Sequence, residues 1–287
     1  MKISIVIATW NASAHLAKCL ESCLRQTWAD KEIIVIDGGS TDGTVDILQL
    51  CGHRLAHWSS APDCGIYDAW NKALPHVTGD WILFRGADDV FWDDDVLTRA
   101  VPALMAASPS QQICYGAVVV EQAGLLRRII GTPWEQARKG FRRGMPIPHT
   151  GTFHHRDLFR RFGKFDASYR VSGDYEFLLR TLRGGDIEGL FIPGLIVTTM
   201  SDGGNAASRA FRGELENLAA RRRYGLPISS AALCRRMAML LRSAAQKRAL
   251  PLLLGHERAA ELYRRRRASL SHRLEQKLPA FLSRVSR

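Results

Sequence analysis

The most constraining feature of the sequence is a short apolar run, Trp81-Ile82-Leu83-Phe84, that breaks into Arg85-Gly86-Ala87-Asp88-Asp89. A run of this length bounded by polar residues fits one buried strand. Its two adjacent carboxylates fall where the chain leaves the sheet, and in open α/β sheets ligands sit beyond the carboxyl ends of the strands. Two acids there suit a hard divalent cation, held by oxygen ligands and shared with substrate phosphates. The competing reading is a solvated turn ahead of a helix that Asp93, Asp94 and Asp95 would cap.

The preceding chain is built the same way. Ile3–Thr9 is almost continuously apolar, as a parallel strand covered on both faces requires. Asn11 or Ser13 would cap the next helix, in which Leu16, Cys19, Leu20, Cys23 and Leu24 recur at helical spacing. Residues 33–36 form a second strand ending on Asp37. The loop Gly38-Gly39-Ser40-Thr41-Asp42-Gly43-Thr44 and a helical run over 45–50 follow. Strand, glycine-rich loop and helix bring backbone N–H groups to a phosphate, although this loop is neither a dinucleotide fingerprint nor a P-loop. Asp37, at the strand end, is placed to bond a base or a ribose instead. A third strand near 55–58 leads through Asp63-Cys64-Gly65 into a helical segment over 66–74. The alternation predicts an α/β fold, with a mostly parallel sheet flanked by helices.

At 287 residues, 46% hydrophobic and 24% charged, the chain is globular rather than disordered. No apolar run approaches the roughly 18 residues of a membrane span. The apolar start breaks into Thr9-Trp10-Asn11 without a cleavage site, so it reads as a strand and not a signal peptide, and the protein is expected in the cytoplasm. The six cysteines show no zinc-like spacing and are expected to be free thiols. Charge divides the chain. Residues 1–205 carry 21 Lys and Arg against 23 Asp and Glu, whereas residues 206–287 carry 19 against 5.

Beyond Asp93 the pattern predicts a helix to about residue 107, a strand over 112–120, and a hairpin partner over 125–130. Residues 131–144 read as irregular and basic, either a mobile acceptor loop or an ordinary connection. His149, next to Pro148, either donates to a phosphate or sugar hydroxyl or makes a structural hydrogen bond. In Ser172-Gly173-Asp174-Tyr175-Glu176-Phe177-Leu178, Phe177 and Leu178 face the core of a helix and leave Asp174 in its first turn. A last strand lies within 187–199, and Ser201-Asp202-Gly203-Gly204-Asn205 marks a boundary between a domain over 1–205 and a basic helical extension over 206–287. In that extension Arg221-Arg222-Arg223, Arg235-Arg236 and Arg264-Arg265-Arg266-Arg267 alternate with leucine-rich stretches. Basic amphipathic helices bind anionic membranes; the alternative is an appendage packed on the domain with its arginines in water. No aromatic-studded surface for nucleic acid is evident, and no nucleic-acid partner is expected.

Ile3–Thr9 with Trp10-Asn11, Asp37 through Thr44, Asp63-Cys64-Gly65-Ile66-Tyr67-Asp68-Ala69-Trp70-Asn71-Lys72 and Gly86-Ala87-Asp88-Asp89 together resemble the family 2 glycosyltransferases in order and spacing, over about residues 1–200. The subgroup resembled is that of bacterial enzymes of exopolysaccharide or lipid-linked glycan synthesis. The resemblance implies a GT-A fold and a nucleotide-sugar donor, usually with Mg2+ or Mn2+. It implies that Thr9 and Asp37 bind the nucleoside, Asp37 facing the base, that Asp63 lines the same pocket, and that Lys72 lies near the diphosphate. Asp88 would hold ribose and metal, Asp89 the metal directly, and Asp174 would be the catalytic base; His149 falls at a recurrent acceptor-side position. Two departures stand out: Gly86 replaces the first acid of an Asp-x-Asp, and Gly173 replaces the first acid of a Glu-Asp pair. The expected activity is inverting, metal-dependent transfer of one sugar, from a UDP-sugar by preference, to a glycan or lipid-linked acceptor, with peripheral membrane contact through the basic tail. The rival reading is a non-catalytic adaptor that keeps the core and uses the tail for membrane or nucleic acid.

Overall fold

Four parallel strands carry the N-terminal half: β1 (Ile3–Thr9), β2 (Lys31–Asp37), β3 (His57–Ser60) and β4 (Trp81–Gly86), side by side in the order β3-β2-β1-β4, with β3 the half-buried edge. They belong to a computed structural model that describes residues 1–122, 125–201, 206–228 and 238. The crossovers are α1 (Ser13–Leu24), α2 (Thr44–Cys51) and α3 (Ile66–Ala73). A short strand β5 (Val90–Phe91), helix α4 (Val96–Ala106) and the hairpin β6 (Ile113–Gln122) and β7 (Leu125–Ile130) follow. Next come α5 (Trp134–Gly140), β8 (Thr152–His155), α6 (Asp157–Phe162), α7 (Gly173–Gly184), β9 (Gly189–Ser201) and α8 (Ala206–Arg223).

The sheet continues β4-β8-β6-β9-β5, with β7 beside the outer part of β6. β1 to β4, β6 and β9 run one way and β5, β7 and β8 the other, as the pairings require. Successive residues of β4 serve opposite faces, as the period of two demands. Ile82 and Phe84 enter an aromatic core with Tyr67, Trp70, Tyr115, Phe165 and Phe177, under α3, α5, α6 and α7. Trp81 and Leu83 enter an aliphatic core with Leu16, Leu20, Leu97 and Leu104, under α1 and α4.

One expectation changes. Residues 131–144 are not wholly irregular: Pro133 opens α5, and Trp134, Ala137 and Phe141 are buried against the aromatic core. Three apolar residues at helical spacing outweigh the basic residues between them. Helix α8, past the compositional boundary, packs on α7. Gly213 of α8 brings the helix so close that a Cβ there would sit 3.1 Å from Val171. The leucine- and arginine-rich stretches beyond residue 228, with Cys234 and the expected membrane-binding helices, lie outside the described residues apart from residue 238. Among the described residues no helix is long and apolar enough to cross a membrane, and the five described cysteines are free thiols.

Candidate active site

The carboxyl ends of the parallel strands form one edge, set by register: Thr9 pairs with Asp37, Asp37 with Ser60, and Ala8 with Gly86. Asp37 is wholly buried there. Its Oδ2 accepts the N–H groups of Gly39 (3.0 Å) and Ser40 (2.9 Å) and the Ser60 hydroxyl (2.6 Å), while Oδ1 accepts the Ser40 hydroxyl. One carboxylate therefore folds the glycine-rich loop and ties it to β3. Asn11, in the left-handed region at φ 45°, locks the first loop to the second by accepting the Thr41 N–H at 2.9 Å. The cap expected from Asn11 or Ser13 comes from across that junction: Asp42 accepts the Ser13 N–H at 3.0 Å.

Asp63 joins this edge. A Cβ on Gly38 would fall 2.7 Å from Asp63 Oδ2, so the bare glycine is what lets the two loops meet. The Asp63 Oδ1 accepts the Gly65 N–H at 2.8 Å. Lys72 Nζ lies 3.1 Å from Asp68 and donates to the Pro62 carbonyl, holding an exposed cation at the rim of the same loop. Thr9 Oγ1 is buried without a hydrogen-bond partner among the described residues, and Trp10 beside it is 67% exposed. An orphaned hydroxyl and a bare indole at one strand end are features a ligand would satisfy.

The acidic pair closes the edge on the β4 side. Asp88 is exposed, whereas Asp89 is buried and accepts the Gly86 N–H at 2.8 Å through Oδ2. Burial pushes the Asp89 carboxyl up to about 7; the Arg85 guanidinium pulls it down and the Asp88 charge pushes it further up. Arg85 is itself wholly buried, its carbon 3.9 Å from the Phe91 ring centroid. None of its guanidinium nitrogens has a hydrogen-bond partner among the described residues. A buried, under-compensated carboxylate next to an exposed one is a donor pair that fits a cation completed by phosphate oxygens. Protein ligands alone do not make a full cage, for no cluster of three or more His, Cys, Asp or Glu that could hold a metal occurs among the described residues.

Asp174 stands in the first turn of α7, partly exposed. Tyr67 Oη lies 3.1 Å from its Oδ1 and 2.8 Å from the Val171 carbonyl. Desolvation raises the Asp174 carboxyl to about 6; the Tyr175 N–H and Tyr67 lower it, and the Glu216 charge raises it further. Helix α3 links the two acidic centres. Tyr67 meets Asp174, and Trp70, one turn on, donates its indole N–H to the Arg85 carbonyl at 3.3 Å, one residue before Gly86. Arg170, just ahead of Asp174, reaches the Asp63–Gly65 loop, where a Cβ on Gly65 would lie 3.0 Å from its Nη1.

His149 is the exception among the expected residues. Part of it reaches the surface, but both ring nitrogens are buried without a partner among the described residues, and the ring lies among Trp70, Phe84, Phe165 and His154. As placed, it presents no polar atom to a phosphate or hydroxyl. Its aromatic neighbours are those of a packed ring, and burial depresses the imidazole to about 3.

The profile of Glycosyl transferase family 2 matches residues 4–163, more than half of the chain. The chain belongs to that family. Over 181 residues it is 37% identical to a PGL/p-HBAD biosynthesis glycosyltransferase of Mycobacterium tuberculosis, an alignment covering 62% of this chain and 68% of that protein. Its fold is that of a mannosyltransferase from Pyrobaculum calidifontis solved with GDP-Man and Mn2+, at a TM-score of 0.59 and 19% identity over 99% of this chain and 86% of the other. It is also that of S. aureus TarS 1–349 in complex with UDP-GlcNAc, at 0.58 and 14% identity over 90% and 77%. The GT-A architecture follows.

Within this glycosyltransferase the two glycine departures have different causes. A Cβ on Gly173 would fall 2.9 Å from the Tyr67 ring, so the ring that meets Asp174 occupies the volume a side chain at 173 would need. A Cβ on Gly86 would meet chiefly the Asp88 Oδ1 at 2.9 Å, the free end of an exposed side chain. Tyr67, Arg170 and Arg85 escaped the sequence reading. Only Tyr67 left a signal, an aromatic residue inside a motif otherwise rich in small and polar side chains.

Proposed function

We propose that this chain is an inverting, divalent-cation-dependent glycosyltransferase that moves one sugar from a nucleotide-sugar, UDP by preference, to a glycan or lipid-linked acceptor at the inner face of the cell membrane. The observation that carries it is Asp174: a carboxyl raised toward neutrality, touching Tyr67 and coupled through α3 to the acidic turn that ends β4. Thr9, Trp10, Asp37 and Asp63 would line the nucleoside pocket, with Lys72 and Arg170 toward the diphosphate. Asp89 and Asp88 would hold Mg2+ or Mn2+, which when bound supplies charge neutralisation for the departing diphosphate. The mannosyltransferase of similar fold carries Mn2+ with its donor.

In the transfer step Asp174 accepts the acceptor hydroxyl proton as that oxygen forms a bond to the anomeric carbon. The bond from that carbon to the diphosphate oxygen breaks, and its electron pair leaves with the nucleoside diphosphate, so the product is inverted. A carboxylate with a raised pKa is a stronger base than an ordinary one, and general-base help of this kind contributes about 10²–10⁴ in rate. The basic residues beyond 228 would hold the enzyme against anionic lipid.

The test is a donor panel read by released nucleotide, with Mg2+ or Mn2+ and UDP-, GDP- and dTDP-sugars, beside Asp89→Ala and Asp174→Asn. Slow hydrolysis of one donor, lost in Asp89→Ala, is the expected result. A chain that binds no donor even with metal present is the non-catalytic adaptor.

A further inference from the structure

The segment that delivers Asp174 is held by a residue far along the chain. Glu216, on α8, accepts three consecutive backbone N–H groups: Arg170 through Oε1 at 3.0 Å, and Val171 and Ser172 through Oε2 at 2.8 and 2.9 Å. Three N–H bonds to one carboxylate are charge-assisted and of the stronger kind. Ser172, at the N-cap of α7, makes no side-chain cap; its hydroxyl donates to the Gly213 carbonyl of α8 at 3.1 Å. On the other side the Val171 carbonyl accepts the Tyr67 hydroxyl. Residues 170–172 are thus gripped through their N–H groups by α8 and through a carbonyl by α3, and Asp174 follows two residues later.

We propose that Glu216 is the positioning residue for the catalytic base, so that α8 is a working part of the active site and not an appendage. This rests on the reading of Asp174 as the base. The role is geometric first. Without the Glu216 clamp the three N–H groups lose their acceptor, and the first turn of α7 loses its fixed origin. Glu216 also acts electrostatically on Asp174. The titratable groups that bear on that carboxyl are Tyr67 from α3 and Glu216 from α8; Arg170 reaches away to Gly65, and Glu176 of α7 itself is bound to Arg180 and Tyr224.

The experiment compares Glu216→Ala and Glu216→Gln with the wild type, in the full chain, using the donor that the wild type hydrolyses and UDP with Mn2+ as the binding probe. Glu216→Ala is expected to lower kcat about ten- to a hundredfold, the scale of a misplaced catalytic group, with KM and UDP affinity within about twofold. Hydrogen exchange should quicken at the amides of residues 170–175 and not in β1 or β2. Glu216→Gln keeps the shape and one acceptor, and it replaces Glu216→Ala in every measurement if the alanine variant fails to fold. By removing a negative charge it should move the acid limb of the pH–rate profile to lower pH. A purely structural role would lower the melting temperature without moving that limb, and this result overturns the proposal. A wild type that turns over, is silenced by Asp174→Asn and is indifferent to both Glu216 variants overturns this inference alone. A wild type that turns over no donor overturns the transferase reading and this one together.

Discussion

The two halves of the cleft are held together in opposite ways. On the nucleotide side, polar residues are satisfied mostly within neighbouring loops: Asp37 binds Gly39, Ser40 and Ser60, and Asp63 binds Gly65. On the base side, Asp174 depends on Tyr67, more than a hundred residues before it, and on Glu216 after it. The first half is a set of self-contained turns, held together by their own motif residues. The second is an assembly of three distant segments, and its chemical group is kept poorly compensated.

Substitution separates the halves. Asp174→Asn should cost turnover about 10²–10⁴-fold, leave UDP and Mn2+ binding intact, and leave thermal stability unreduced, because it removes a carboxylate whose desolvation is unfavourable. Asp37→Asn should do the reverse. Replacing an acceptor of two N–H groups and two hydroxyls with an amide should destabilise the fold by about 3 kcal/mol in urea titration and abolish nucleotide binding. Equal stability losses in the two variants would erase the contrast.

Acid is the second probe. The turnover rate should fall about tenfold per pH unit below about 6, where Asp174 takes up its proton. Stability follows another course. His149 is depressed to about 3, and His154 well below its ordinary value, both by burial. Below pH ~6.5 the unfolded chain binds protons that these native rings refuse, so stability falls with pH by up to about 1.4 kcal/mol per unit for each histidine. Asp174 has the opposite sign, since between about 4 and 6 the native chain holds a proton that the unfolded chain has released. Metal-free Asp89, raised to about 7, acts in the same direction. Urea unfolding at pH 7, 6 and 5 should therefore show a steeper loss in Asp174→Asn than in the wild type, and a shallower one in His149→Phe.

The smallest effects come from the two glycines. Gly173→Ala puts a methyl group 2.9 Å from a ring anchored by its hydroxyl, and should cost about 1–3 kcal/mol together with most of the activity. Gly86→Ala meets only the free end of Asp88 and should shift stability by no more than about 0.5 kcal/mol. Similar melting temperatures for the pair would mean that Tyr67 can yield.

What the sequence revealed follows the same division. β1, β2 and β4, with Asp37 and the Asp88-Asp89 turn at their ends, were legible because runs of apolar residues and the polar groups that stop them are adjacent in the chain. Glu216 was hidden by composition, because the arginine count made residues 206–287 look like a separate basic unit. Its trace was there: Glu214 and Glu216 are two of the five acids in that stretch, and Gly213 stands beside them. The environment of His149 could not be read from its flanking prolines, since its aromatic neighbours come from α3, β4 and the loop around residue 165.

The close approach of Gly173 to Tyr67 has an evolutionary consequence. A ring at 67 and an acidic side chain at 173 compete for one volume, so a lineage cannot acquire the second without surrendering or rotating the first. The two positions should drift as a coupled pair among descendants of a common ancestor.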